Sequence, residues 1–435
     1  MDMREKRTSG RINYRLYAAL LVMGICPTIY TTVRVFFLGQ LPGDWAYSIA
    51  GQLAWVNLLY EIVNEAMILP LFYFVGKVKD NKVAFANCVR TGMLLALGAY
   101  AVLSAGILFF AEPLLQLMAA DSTILKESAA YIRIESVAQL FAVLTQFALV
   151  ALVTVNKSRY LYVFTLTRLI MCLLTDTFFV STLPVSANLG VNGIGYSNIL
   201  VNALLLAVAI MLLDKEKIPV FSKERLSFAW ARELVKVGGL SGVESLVRNV
   251  AYMVMIVRIV NEVGEQGTYW VANNFIWGWL LLPVLQLGEL IKQETAAGKA
   301  AACKNAKGYF TVTAIITGLW VLSIPLWKPF MSRILGYSDV DKLFELVLLL
   351  LIPYVCYAFQ NVCDATFYGL GKTEYMLFES VVTNAVYYGG AFVVYALGAW
   401  QPTLTGIALL FGVGNVFDSG VSWLAYRHLL RKEHS

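Results

Sequence analysis

Twelve apolar stretches, each long enough to cross about 30 Å of hydrocarbon as a helix, dominate this sequence. They lie near 16–40, 46–76, 87–111, 127–153, 160–184, 194–213, 231–261, 268–291, 308–327, 343–368, 374–398 and 403–426. Within hydrocarbon every backbone N–H and C=O must find a partner in the protein, so only helices and closed barrels span. A barrel would show alternating segments of about ten residues, and the sequence has none. The expected fold is therefore an all-α polytopic membrane protein with twelve transmembrane helices. Composition agrees: 14% of the 435 residues are charged, against roughly 25% in a soluble domain.

The net charge of +6 is distributed as a topology signal rather than as a nucleic-acid footprint. Counted over alternate loops and tails, Lys and Arg number 25 on one side and 5 on the other, with Arg34, Arg168, Arg248 and Arg258 inside spans. This bias places both termini in the cytoplasm of a cell (inner or plasma) membrane protein. It also supports an even number of spans, since one missed helix would scramble the alternation. The basic, polar start lacks a short apolar stretch with a small-residue cleavage site, so no cleaved leader is expected. The six cysteines lie mostly in apolar runs without ligand spacing and read as small buried side chains. Both histidines, His428 and His434, sit near the C-terminus, so no histidine metal site or proton relay is expected within the membrane.

The sequence repeats itself. Leu69-Pro70 pairs with Leu282-Pro283, Pro113 with Pro329, and Asn156-Lys157-Ser158 with Gly371-Lys372-Thr373, at offsets of 213, 216 and 215 residues. Arg34 and Arg258, each between β-branched residues, match at an offset of 224. The longest polar interruption, 214–230, divides the spans six and six. The expected organisation is an N-terminal lobe (1–213), a cytoplasmic loop (214–230) and a C-terminal lobe (231–435), as two pseudo-symmetric six-helix bundles. Repeats of this kind mark transporters whose cargo path lies at the repeat interface. Pro27, Pro70 and Pro283 fall inside spans, where they free carbonyls and bend helices.

Several stretches carry a family resemblance: Pro27 through Phe36-Phe37-Leu38-Gly39, the segment Pro113 to Ile134, Gly190 through Gly193 (GVNG), Gly239 through Ser245 (GLSGVES) and Gly369 through Thr373 (GLGKT). In these the chain resembles the multidrug and toxic compound extrusion (MATE) transporters of the multidrug/oligosaccharidyl-lipid/polysaccharide (MOP) flippase superfamily. The resemblance implies a V-shaped pair of six-helix lobes and export driven by Na⁺ or H⁺, with no further cofactor. Many family members carry an aspartate in span 1 that is implicated in cation coupling; here that position is Arg34. The usual coupling site of the first lobe therefore does not carry over, and other carboxylates must take its role or the cargo must differ in charge.

Ionisable residues inside spans are costly and point to a pathway or to structural pairs. Glu61 and Glu65 lie one turn apart on span 2, beside Asn64. Two carboxylates sharing a low-dielectric face cannot both ionise cheaply, so they suit a proton or a cation. The alternative is a structural pairing with Arg34 or Arg168. Glu244 and Arg248 sit four apart on span 7, in the order that favours an ion pair. Arg34 and Arg258 lie near the outer ends of their spans, where they could snorkel, pair or attract an anion. Arg168 and Asp176 share a face of span 5; Asp364, with Gln360 and Asn361 before it, and Asp418 complete the set.

No Walker-type phosphate loop occurs, because GLGKT lacks the four-residue spacing between its glycines. No nucleophile–base–acid constellation can be drawn, so the chain is not expected to be an enzyme. The reading is a monomeric secondary exporter, an Na⁺ or H⁺ antiporter of amphipathic, drug-like compounds. Its partners are a small-molecule substrate and the lipid bilayer, with no nucleic acid. Two rivals stand beside it. One is a flippase for an anionic or lipid-linked cargo held by Arg34, Arg248 and Arg258. The other is a non-transporting receptor or scaffold, which the absence of any sizeable soluble domain disfavours.

Overall fold

A computed structural model describes residues 12–42, 45–155, 159–221 and 225–431, and among these the chain is helical with no strand. The basic stretch 1–11, the Asn156–Ser158 motif and His434 lie outside the described residues. The first six helical runs are α1 (Tyr14–Gly39), α2 (Ala46–Lys77), α3 (Lys82–Leu117), α4 (Leu125–Thr154), α5 (Arg159–Phe179) and α6 (Asn192–Lys215). After the polar loop come α7 (Ala231–Tyr252, continued through Met253–Val257 to Arg258–Glu262) and α8 (Gln266–Leu280 followed by Leu282–Thr295). The last four are α9 (Lys299–Arg333), α10 (Val340–Gly369), α11 (Thr373–Ala396) and α12 (Leu404–Arg431).

Ten of these helices are long and apolar enough to cross a membrane, and α8, whose parts meet at 52°, makes an eleventh. The run expected to span at 231–261 is helical throughout but is not among them. Its charge sets it apart: α7 carries Arg232, Glu233, Lys236, Glu244, Arg248, Arg258 and Glu262. Elsewhere large apolar side chains face outward, with Val102, Phe109 and Leu322 each more than three-quarters exposed. That inverted surface is what a lipid solvent requires. The chain is thus an all-α, multi-pass membrane protein.

Local chemistry sets where helices start, stop and bend. The Asn81 side chain accepts from the Ala84 N–H and that of Asp339 from the Lys342 N–H, which caps α3 and α10. α5 ends at Phe179, short of the expected 184, and Pro184 disfavours helix at Leu183, so the helix does not run on to 184. There the Asp176 carbonyl takes the N–H groups of both Val180 and Ser181. The matched Leu-Pro pairs each follow a wide π turn, at Asn64–Ile68 and Ile276–Leu280. A proline removes one N–H from the ladder and crowds the carbonyl four residues earlier, which accounts for the widened turn. The outcome differs, since α2 remains one run whereas α8 breaks by 52°.

The helices pack as two compact units, Met1–Thr32 with Val271–Ser435, and Val33–Trp270. The division does not fall at the 214–230 loop. α7 packs in the Val33–Trp270 unit with α2–α6, while the first part of α1 packs with the helices after 270. Sequence repetition and packing therefore draw different boundaries, and the 1–213 and 231–435 lobes describe the repetition. In the Val33–Trp270 unit α4 is central, flanked by α3 and α6, with Tyr131, Phe147 and Trp55 almost wholly buried. Gly195 lets α6 approach α4: a Cβ there would sit 2.6 Å from Ile134. In the other unit α10 is central, packed on α12, on the second part of α8 and on α9. Four of the six cysteines are buried, while Cys303 is exposed and Cys356 partly so.

Candidate functional site

Among the described residues the helices bring ionisable side chains together in three larger groups, each within one unit. The first is built on Arg34 of α1. Its Nε donates to Asp176 Oδ2 at 2.6 Å and its Nη2 to Asp176 Oδ1 at 3.2 Å, a bidentate pair with α5. Nη2 also donates to Asn198 Oδ1 on α6 at 2.7 Å. Asp176 is fully buried and Arg34 only 11% exposed. Asn198 turns its amide nitrogen to both oxygens of Glu135 on α4, at 2.8 and 3.1 Å. The result is a polar chain, Asp176–Arg34–Asn198–Glu135, crossing four helices. Arg168 shares the face of α5 with Asp176 but bonds Asn202, one turn further along α6, at 2.9 Å. Glu135 was missing from the sequence reading. With Lys126, Glu127 and Arg133 before it, it looks like part of a solvated helix end.

The second group gathers Glu61 and Glu65 of α2 with Glu244 and Arg248 of α7. Arg248 donates to Glu65 at 2.9 Å, to Glu61 at 3.1 Å and to Glu244 at 3.3 Å. One guanidinium thus faces three carboxylates. Arg248 and Glu61 are more than a third exposed, so the group is open rather than sealed. The GLSGVES glycines make it possible: a Cβ on Gly242 would sit 2.7 Å from Ala66 Cβ, so only a glycine lets α7 lie this close to α2. The π turn Asn64–Ile68 begins after Glu61 and contains Glu65. Asn64 is in the same stretch, but its Oδ1 is buried without a partner among the described residues.

Arg258, the sequence match of Arg34, is placed differently. It is 36% exposed, pairs with Glu262 at 3.5 Å and donates to the Leu117 carbonyl at 3.1 Å. The buried polar contact beside it belongs to its neighbour. Asn261 and Gln52 exchange reciprocal amide bonds of 2.8 and 3.1 Å, joining α7 to α2.

The third group lies on α10, α11 and α12. Gln360 Nε2 donates to Glu379 Oε1 at 2.5 Å and to Asp418 Oδ2 at 2.7 Å. Thr383 donates to Asp418 Oδ1, and Ser422 to Asp364 Oδ1, both at 2.6 Å. Ser419 donates to Gln360 Oε1 at 2.9 Å, which fixes the amide's orientation. Asp364 is thus joined by Glu379, which sequence reasoning missed, and by Asp418. Every donor in the group is neutral, and none of the three carboxylates forms an ion pair among the described residues. Like charges about 4 Å apart repel by about 4 kcal/mol at an effective dielectric near 20. Among the described residues no set of three His, Cys, Asp or Glu side chains is placed to hold a metal ion.

Comparison with known proteins gives the fold its relatives. Residues 75–178 match the MatE family profile. Of solved structures, an inward-facing MATE multidrug resistance transporter of the MOP superfamily matches with a TM-score of 0.70 at 18% identity, over 93% of this chain and 100% of that one. A MOP superfamily transporter from Pyrococcus furiosus, described as having a binding pocket of reverse polarity that suggests a different function, matches with a TM-score of 0.70 at 17% identity, over 97% and 96%. A variant of the Vibrio cholerae MATE transporter VcmN matches with a TM-score of 0.66 at 15% identity, over 97% and 96%. No curated protein sequence matches the chain. The fold of this protein is that of the MATE transporters.

Proposed function

We propose that this protein is a secondary active exporter of amphipathic, cationic organic compounds, driven by an H⁺ or Na⁺ gradient through alternating access. The observation that carries the reading is the open group on α2 and α7, where Arg248 meets Glu61, Glu65 and Glu244. With all four ionised the group carries two negative charges in excess, which favours a cation over an anion. The fold shared with MATE transporters supports the export role. The rest of the reading is a monomer in the cell membrane, with both termini cytoplasmic and no catalytic group.

A second reading, export or flipping of an anionic cargo, draws on Arg34 standing where the family carries aspartate. The reverse-polarity pocket described for the Pyrococcus furiosus relative makes it concrete. Against it, each arginine that would clamp a phosphate already meets a carboxylate: Arg34 meets Asp176, Arg248 three glutamates, and Arg258 Glu262. An anion would have to displace them.

Reconstitution in liposomes loaded with a cationic dye tests the proposal, with an imposed pH or Na⁺ gradient and with Glu61→Gln and Glu65→Gln alongside. Gradient-driven efflux that falls in both variants is expected. Folded protein that moves no cation under either gradient, but moves an anionic probe, would replace this reading with the second one.

A further inference from the structure

We infer that Asp364, Glu379 and Asp418 form a proton-binding site, with Glu379 as the group that holds the proton. The argument starts from unmet hydrogen bonds. Glu379 is 4% exposed, and its Oε1 takes the Gln360 amide. Its Oε2 is buried and receives no donor from any described residue. Yet the one nitrogen of Gln360 that reaches Glu379 Oε1 also reaches Asp418 Oδ2, which holds two carboxylates against each other, and Asp364 lies one turn along α10 from that amide. Two ionised carboxylates cannot bond to one another, since each only accepts. One proton taken from water onto Glu379 Oε2 makes it a donor among carboxylate acceptors and removes one of the repelling charges, and an O–H···O⁻ bond is among the strongest a protein makes. The group's charge rises by one as the proton binds and falls by one as it leaves.

The surroundings select a proton over a metal ion. Both oxygens of Asp418 already accept, from Thr383 and from Gln360, and Asp364 Oδ1 accepts from Ser422. Among the described residues no set of three His, Cys, Asp or Glu side chains is placed to hold a metal ion, whereas a proton needs only one acceptor beside it. Among the described residues no cation bonds these carboxylates, and His428 of α12 lies instead against Tyr375 at the start of α11. α10 contributes Gln360, Asp364 and the buried Cys363 thiol, α12 contributes Asp418, Ser419 and Ser422, and α11 itself adds Thr383. The lysine just before α11, Lys372, points to exposed Glu374 at 3.4 Å. A wide π turn, Thr383–Tyr388, begins one turn after Glu379. Such turns mark places where a helix can change register, so a proton that changes how α11 is held by α10 and α12 has a deformable element next to it.

The role as the coupling site rests on the export reading; proton binding itself does not. Infrared difference spectra of the purified protein between acidic and alkaline pH separate the two. The expected result is a protonated-carboxyl stretch in wild type that is lost in Glu379→Gln and kept in Glu374→Gln. Asp418→Asn, the second variant should Glu379→Gln fold poorly, should shift the band by replacing the neighbouring charged carboxylate with a neutral amide. A band unchanged in both Glu379→Gln and Asp418→Asn overturns the inference. So does a wild-type band abolished by Na⁺ at constant pH, which would assign the site to a metal cation. If the band behaves as expected while liposomes show no proton-driven efflux, the proton site stands and the export reading fails.

Discussion

Two buried groups in this protein solve one problem in different ways. On α1 and α4–α6, Asp176 is sealed from solvent with a guanidinium of its own; on α10–α12, three carboxylates share neutral donors and, among the described residues, no cation. Asp176 needs no ion from solution, since Arg34 supplies a tethered positive charge, while Glu135 in the same polar chain reaches that charge only through the neutral Asn198 amide. The second group is incomplete until something positive arrives. A fixed charge gives permanence and an absent one gives responsiveness, so on the proposed reading a change in pH acts on α10–α12 more readily than on Asp176.

The largest expected effect comes from breaking the fixed pair. Arg34→Met leaves Asp176 charged and buried, and should cost about 3–5 kcal/mol in unfolding measured in detergent, whereas replacing both residues with apolar ones should restore most of it. Equal damage in single and double variants would mean that Arg34 acts through something other than Asp176.

A smaller effect is expected at the other group. Glu379→Gln mimics the protonated acid and should leave stability at neutral pH within about 1 kcal/mol of wild type. The sign of the pH dependence follows. If the folded state binds this proton more tightly than the unfolded chain, wild-type stability is greatest at low pH and falls as the proton leaves on raising pH. Glu379→Gln should flatten that fall, and a variant as pH-sensitive as wild type would break the comparison.

The open group on α2 and α7 lies between these extremes. Arg248→Gln removes the one charge opposing three glutamates and should tighten binding of a cationic dye. The expected change is about fivefold, the size of a partly screened contact of about 1 kcal/mol. Equilibrium dye binding checks it, and weaker binding would favour an anionic cargo.

The smallest effect belongs to a carboxylate outside the spans. Asp121, in the loop between α3 and α4, accepts from the Thr123 hydroxyl at 2.7 Å and its N–H at 2.8 Å, and these bonds hold it below the usual range. A lowered acid contributes above its unfolded value, about 3.9, and that contribution disappears as pH falls through the folded value. Asp121→Asn should therefore alter thermal stability only slightly near neutrality, and less still in acid.

The fold was legible because hydrocarbon leaves a chain few options, so the length of the apolar runs sufficed for most helices, though not for α7. Asp364 and Asp176 were legible for the same reason, as carboxylates deep in apolar runs. Glu135 and Glu379 were not. Each lies about two turns or less from charged residues at a helix start, Glu127 and Glu374, and a pattern in one dimension reads them as solvated. What buries them is the approach of other helices, which sequence spacing does not encode. Arg34 and Arg258 show the converse. Alike in sequence, one is locked on a buried aspartate and the other rests half-exposed on Glu262. Repetition transmits a position but not its partners. Likewise Leu69-Pro70 and Leu282-Pro283 both follow a π turn, yet only α8 breaks.

The most direct test of the contrast is to count protons released by purified protein on a jump from acidic to alkaline pH, in wild type, Glu379→Gln and Asp176→Asn. The account predicts that Glu379→Gln releases fewer protons than wild type while Asp176→Asn does not. A loss confined to Asp176→Asn, with Glu379→Gln matching wild type, would contradict it by placing the exchangeable proton on the group that Arg34 is held to neutralise.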